Sequence, residues 1–362
     1  MSAFARAIIR WQRRHGRHDL PWQGTRDPYA IWLAEIMLQQ TQVAAVVPYY
    51  VRFRSRFPDI PSLAAAAEDD MLRLWSGLGY YARARSLHRG AQLIVERHGG
   101  EFPRALGDIQ KLPGIGRSTA AAIAGFAFGA RAAILDGNVK RVLARHFLVA
   151  GFPGERAVEQ RLWQLAESLV PARDNDAYIQ GLMDLGATVC SARTPHCARC
   201  PVRTTCGAYA ENRVAELPAP RPRKQLPTRA TTMLVLRHRN DVLLEKRPSV
   251  GVWGGLWSLP EIARDGDPVA MSAQRYGCEV ARVEALGALR HGFTHFMLQI
   301  TPVVGTVRRV SPRAAQPGVV WLPIDEALGA ALPAPVRKLL RGLASAAAAD
   351  QPALFEEAVE DL

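Results

Sequence analysis

Within seventeen residues, Cys190, Cys197, Cys200 and Cys206 fall in the pattern C-x6-C-x2-C-x5-C, and this concentration constrains how the stretch can fold. Four thiolates on one short segment can wrap a tetrahedral zinc ion or an iron–sulfur cubane, and the softness of sulfur does not choose between them. The spacing does better. Structural zinc usually joins two C-x2-4-C knuckles across a longer gap, whereas here a lone C-x2-C has wider arms, which favours one 4Fe-4S cluster held by all four cysteines. Disulfides or unrelated buried thiols are the alternative, but only Cys278 stands outside the group in 362 residues. The segment also carries Arg193, Arg199 and Arg203 and no acidic side chain, so the metal loop has a basic face.

Charge elsewhere points the same way. The chain holds 46 Lys plus Arg against 33 Asp plus Glu, a net charge of +13, which favours a polyanionic partner. The excess is uneven: residues 1–210 hold 27 basic and 17 acidic side chains, the remainder 19 and 16, so the first part is expected to do most of the phosphate gripping. No apolar run approaches a membrane span, and the N-terminal stretch has no long apolar core or small-residue cleavage site. The expectation is a soluble, non-secreted monomer in the cytoplasm, nucleoid-associated in a bacterium, with double-stranded DNA as partner and no membrane.

The periodicity divides the chain in two. From about 28 to 210 apolar residues recur at three- and four-residue spacing with Pro or Gly at the breaks, predicting an all-α domain over 1–210. Residues 211–231, with Pro218, Pro220, Pro222 and Pro227 among Arg221, Arg223 and Lys224, read as an extended basic linker. Short β-rich runs follow, TTMLVLRH, VLLEKR, VEALGALRH, HFMLQITPVV and VVWLP, then one helix near Pro335–Leu343, which together predict a small α+β domain over 232–343. Residues 344–362 read as a mobile tail.

Three features carry chemistry. Leu112-Pro113-Gly114-Ile115-Gly116-Arg117-Ser118 lies between two helical runs. Its glycines remove β-carbons that would hold a phosphate away, so the turn's N–H groups and the next helix N-terminus can grip DNA without reading sequence. Glu35, in PYAIWLAEIMLQQTQV, has Ile31, Trp32, Leu38 and Gln39 at helical spacing; burial on that face would raise its pKa and suit it to general acid work. Asp136, in ILDGNVKRVLAR, can serve as an N-cap and as the carboxylate partner of Glu35.

Together, DGNVKR, LPGIG and the four-cysteine loop resemble the helix-hairpin-helix DNA glycosylases of the endonuclease III superfamily across residues 20–210. AEIMLQQTQV, WSGLGYYARAR and LPGIGRSTA are similar to its adenine-glycosylase branch, and the similarity continues into the C-terminal half. The resemblance implies base-excision repair: Glu35 protonates adenine at N7, Asp136 stabilises the cationic sugar, and water completes the reaction. It further implies an adenine pocket of Trp22, Asn138 and Gln180, and DNA contacts from Gln40 and Tyr80 besides Leu112, Gly114, Gly116 and Ser118. Bifunctional relatives carry a lysine where this chain has Ser118, and a hydroxyl cannot form an imine, so an abasic site left uncut is expected. A bifunctional glycosylase-lyase and a non-enzymatic iron–sulfur DNA-binding protein are the competing readings.

The second half resembles the Nudix fold, but its metal-binding signature is broken: Gly255 and Glu261 fit the first part and the following residues do not. It is read as a recognition module for 8-oxoguanine opposite the adenine, with A·G as a further substrate. Phe293-Thr294-His295 stands where the family's reading loop has Phe-Ser-His. Gln351-Pro352-Ala353-Leu354-Phe355 is similar to short Q-x-x-L-F peptides that bind sliding clamps.

Overall fold

The computed structural model describes residues 1–222, 225–263, 266–311 and 316–349. By contacts the chain forms two compact units, one of residues 1–66 with 83–223, the other of 67–82 with 224–362.

The first unit is helical. Helix Pro28–Leu38 starts with Asp27 as N-cap, its side chain accepting from the Tyr29 N–H at 3.0 Å, and with proline at the first helical position, where a missing N–H costs nothing. Tyr29, Ala30, Ile31, Trp32, Leu33, Ala34, Ile36 and Met37 are all buried, so this helix is apolar on every side and runs through the core. The helical pattern also begins earlier than residue 28. Helix Ala3–His15 stacks Phe4 with Ile8 and Ala5 with Ile9 into a core that includes Val139, Leu143, Ile179 and Leu182. Four arginines among thirteen residues obscure that stripe in the sequence.

Helix Leu106–Lys111, a tight turn, and helix Arg117–Phe128 form the anticipated hairpin. Gly114 is required there twice over: its φ is +76°, and a Cβ would lie 2.8 Å from the Ser86 Cβ. The segment expected to be an extended linker is anchored at its start. Leu217 is buried, its carbonyl accepts from Arg145 Nε at 2.8 Å, and the Ala219 N–H donates to the Gly151 carbonyl at 3.2 Å.

The second unit is built on a mixed sheet: β1 Thr228–His238, β2 Asp241–Lys246, β3 Trp257–Ser258, β4 Glu261–Ile262, β5 Cys278–Ala285, β6 Leu289–Gly292, β7 Met297–Val310 and β8 Val319–Pro323. The order β3-β2-β1-β7-β5 is joined by β4 on β1, β6 on β7 and β8 on β2. β1 and β7 are parallel from Thr228 opposite Met297 to Arg237 opposite Thr306; the other pairs are antiparallel. β1 thus begins inside the stretch read as linker. Residues 67–82 join this unit through Ser76 Oγ and Tyr81 OH, which donate to the Leu332 carbonyl at 3.2 and 3.3 Å, and through Arg337, which donates to Ser76 Oγ at 2.9 Å. The last helix runs Ala334–Ala349, so the first residues of the predicted tail are helical, and Gln351–Phe355 lies outside the described residues.

Candidate active site

A cleft of about 960 Å³ opens in the helical unit, and both carboxylates singled out from the sequence line it. Glu35 is the one acidic residue in helix Pro28–Leu38. Its apolar surroundings strip water from the carboxylate, and the charge of Asp136 adds to that, pushing its pKa from 4.5 up to about 8. Part of the side chain still faces the cleft. A carboxyl group there holds its proton at neutral pH and can reach a bound molecule.

Asp136 has different neighbours. It is the N-cap of helix Gly137–His146, and its Oδ1 accepts from the Val139 N–H at 2.7 Å. Burial raises its pKa, while hydrogen bonds from Val139 and Asn138 and the charge of Arg141 pull it down. The net shift of Asp136 is still upward, but Glu35 has no such lowering contacts among the causes of its own.

Asn138 and Ser118 also line the cleft, and both are tied down. Asn138 Oδ1 accepts from Arg141 at 2.8 Å, and Arg141 also donates to the Gly186 carbonyl at 2.6 Å. Ser118 Oγ accepts the Leu135 N–H at 2.9 Å and so fixes the segment leading into Asp136. Gly186 belongs to a π-helical turn, Leu185–Val189, and a Cβ there would lie 2.5 Å from the Asn138 Cβ. Sequence reasoning missed Arg141 and Gly186. A π turn has no signature in periodicity, although the arginine of DGNVKR was in view.

Trp22, Gln180, Gln40 and Gly116 complete the predicted residues that the cleft brings together. Trp22 packs edge-on against Tyr50 at 5.2 Å. Gln40 has φ 57° just beyond the Pro28–Leu38 helix and is exposed. Arg83 holds that turn, donating to the carbonyls of Ile36 (2.9 Å), Met37 (2.8 Å) and Gln39 and to Thr41 Oγ1 (3.1 Å). Leu112 is buried at 6 % exposure, so its side chain shapes the hairpin rather than presenting itself to a ligand. Neither Leu112 nor Gly114 lines the cleft. Gly114 instead offers its carbonyl to Gln39 Nε2 at 3.3 Å.

Tyr80 and the Phe293-Thr294-His295 turn belong to the other unit. Tyr80 is 45 % exposed with φ 51°. Phe293 stacks on Phe296 at 4.4 Å and packs near Trp253 and His291, while Thr294 and His295 are exposed, with Thr294 Oγ1 3.3 Å from His295 Nδ1. Glu261, the surviving carboxylate of the broken signature, pairs with Arg247 at 2.5 Å and meets Thr231 Oγ1 at 3.4 Å. An arginine there neutralises an acid that could begin a magnesium site.

The four clustered cysteines line one small apolar cavity with Val142, Leu185, Val189 and Val202. None of them is in a disulfide, and burial pushes Cys200 up to about 11, with the other three sulfurs adding to the shift. Arg145 donates to Cys190 Sγ at 3.3 Å and to the Ser191 carbonyl at 2.7 Å, bracing the loop. Among the described residues no group of three His, Cys, Asp or Glu is arranged to hold a metal ion. An all-sulfur donor set around an apolar cavity still fits a soft metal cluster.

Residues 33–168 match the HhH-GPD superfamily base excision DNA repair protein, and 231–342 match the NUDIX domain. A thermostable thymine-DNA glycosylase of known structure superposes with TM-score 0.53 at 32 % identity, covering 57 % of this chain and 95 % of that one. Hairpin, cleft and acids therefore place the chain in the class of helix-hairpin-helix base-excision proteins with a Nudix-like second unit. The adenine DNA glycosylase of Buchnera aphidicola subsp. Baizongia pistaciae is 36 % identical over 93 % of this chain and 95 % of its own length, and that of Mus musculus 33 % over 94 % and 78 %. The chain belongs to the adenine DNA glycosylase family. Among the described residues no helix is long and apolar enough to cross a membrane.

Proposed function

We propose that this chain removes adenine from duplex DNA by hydrolysis, Glu35 acting as the acid and Asp136 as the anion beside the sugar. The carrying observation is the pairing of a carboxyl with pKa about 8 and an N-capped carboxylate in one cleft. Extruding the base from the stack costs a few kcal/mol and gives access to N7. Glu35 transfers its proton to N7, the C1′–N9 electron pair departs with the base, and positive charge grows on the sugar opposite Asp136. Water then bonds to C1′ and returns a proton to the Glu35 carboxylate.

No amine in the hairpin region is presented as a nucleophile by this reading. Ser118 holds the Leu135 N–H, Lys140 pairs with Glu159 at 2.5 Å and Lys111 with Asp108 at 2.9 Å. With Ser118 in the hairpin the abasic site is expected to stay largely uncut, Lys111 and Lys140 being the nearby amines left for a weak lyase step. Phe293, Thr294 and His295 would read 8-oxoguanine opposite the adenine, since an exposed hydroxyl and imidazole on an aromatic base suit an oxidised purine edge. Adenine is a normal base, and a second contact is needed to spare ~10⁶–10⁹ competing sites. One 4Fe-4S cluster on Cys190, Cys197, Cys200 and Cys206 would order the loop that carries Arg193, Arg199 and Arg203 toward phosphates. A sliding-clamp contact rests on the sequence of Gln351–Phe355 alone.

The test is a duplex with one adenine opposite 8-oxoguanine, examined for strand breaks before and after alkali. Breaks only after alkali are expected, with A·T left nearly untouched. Extensive cleavage before alkali would support a lyase, and no cleavage in either arm would leave a DNA-binding protein.

A further inference from the structure

Gln180 reaches the cleft from helix Asn175–Asp184, and a side-chain amide is ambiguous because one end donates and the other accepts. Its orientation is set from behind. Nε2 lies 2.9 Å from Asp184 Oδ1, one helical turn further on. Asp184 is 0 % exposed, and Arg17 grips it three ways: backbone N–H to Oδ2 at 2.9 Å, Nε to Oδ1 at 2.8 Å, and the guanidinium terminus to Oδ1 at 2.7 Å. The backbone around it is close. A Cβ on Gly16 would lie 3.0 Å from Asp184 Oδ2 and 2.6 Å from the Gln12 carbonyl, and Thr188 Oγ1 donates to the Asp184 carbonyl at 2.8 Å. A carboxylate gripped by a guanidinium only accepts, so the amide end facing it has to be the NH2. The end left over is Oε1, an acceptor.

We propose that Arg17 and Asp184 are positioning residues that select a 6-amino purine: by locking the Gln180 amide they leave only an acceptor for position 6 of the bound base. This deepens, and rests on, the reading that the cleft takes adenine. Adenine's exocyclic amine donates to Oε1, while hypoxanthine or guanine sets an oxygen lone pair against it. A buried polar group matched with its like discriminates far better than shape, because neither partner can recover its lost hydrogen bond from water. The same lock keeps the amide N–H off N7, leaving that nitrogen to the acid.

The experiment compares single-turnover excision from duplexes holding one adenine or one hypoxanthine opposite 8-oxoguanine, using the full cluster-loaded chain. In Asp184→Asn the new amide can donate to Gln180 and let it turn round, so the adenine-to-hypoxanthine rate ratio is expected to fall about tenfold or more. Gln180→Met leaves the Arg17–Asp184 pair intact and should lower the ratio as much, and Asp184→Asn added to it should lower it no further. Visible absorbance and the thermal midpoint report whether each variant folds. Should Asp184→Asn not fold, Gln180→Met alone decides. A ratio unchanged in Gln180→Met, unchanged in a folded Asp184→Asn, or still falling when Asp184→Asn is added to Gln180→Met, overturns the inference while the adenine reading stands. A wild-type chain that excises no adenine sinks both.

Discussion

The helical unit and the Nudix-like unit each keep a carboxylate where chemistry would need one, and they treat it in opposite ways. Glu35 sits in an apolar wall without a cationic partner, and its pKa climbs to about 8. Glu261 is paired with Arg247 and touched by Thr231. A carboxyl isolated from positive charge becomes an acid available at neutral pH, whereas one matched with a guanidinium is held as part of the scaffold. Two similar side chains thus separate a unit equipped with an acid from a unit that keeps its carboxylate as scaffold.

Substitutions can break that contrast. Glu35→Gln keeps the shape and removes the transferable proton, and adenine excision in single turnover is expected to fall by about 10³-fold or more. Asp136→Asn retains a competent N-cap for the following helix but removes the charge opposite the sugar; a loss of about 10²-fold is expected with the fold intact by circular dichroism. The pH profile sharpens the assignment further. Excision should fall toward about a tenfold loss for each unit above pH 8, as Glu35 gives up its proton. The stability sign agrees: with the folded pKa near 8 and the ordinary value 4.5, the folded chain binds the extra proton, so stability declines across that window by at most about 1.4 kcal/mol per pH unit, a decline absent in Glu35→Gln. The smallest effect belongs to the second unit. Arg247→Ala should change excision by less than about twofold and cost on the order of 1 kcal/mol by denaturation, with no magnesium-dependent hydrolysis of nucleoside triphosphates appearing.

Much of this was legible beforehand, and for identifiable reasons. Glu35 stood out only with a partner, because a lone helical glutamate is usually an exposed residue, and Asp136, just ahead of Gly137-Asn138 and a helical run, could be both that partner and an N-cap. Five β-rich runs marked most of the second unit's sheet, but VEALGALRH spans parts of two strands, Cys278–Ala285 and Leu289–Gly292, and the two-residue strands Trp257–Ser258 and Glu261–Ile262 were not anticipated. Other features depend on contacts that no local pattern encodes. Residues 67–82 group with the second unit through hydrogen bonds to Leu332 and Arg337, more than 250 positions away. Helix Pro268–Tyr276 was not anticipated, although Asp267 and Pro268 give it a well-formed start; only Ser272 and Tyr276 bury on it, too few to show a stripe. Gln180 was placed by resemblance, but Asp184 and Arg17, which orient it, are recognisable only once helix Asn175–Asp184 brings them together.

The central claim is that Glu35 carries a proton at neutral pH. Carbon-13 labelling of the glutamate side chains, with Glu35 assigned by its loss in Glu35→Gln, allows its carboxyl to be titrated directly by NMR in the folded protein. The account predicts a midpoint near 8; a Glu35 midpoint at the ordinary value of 4.5 would contradict it.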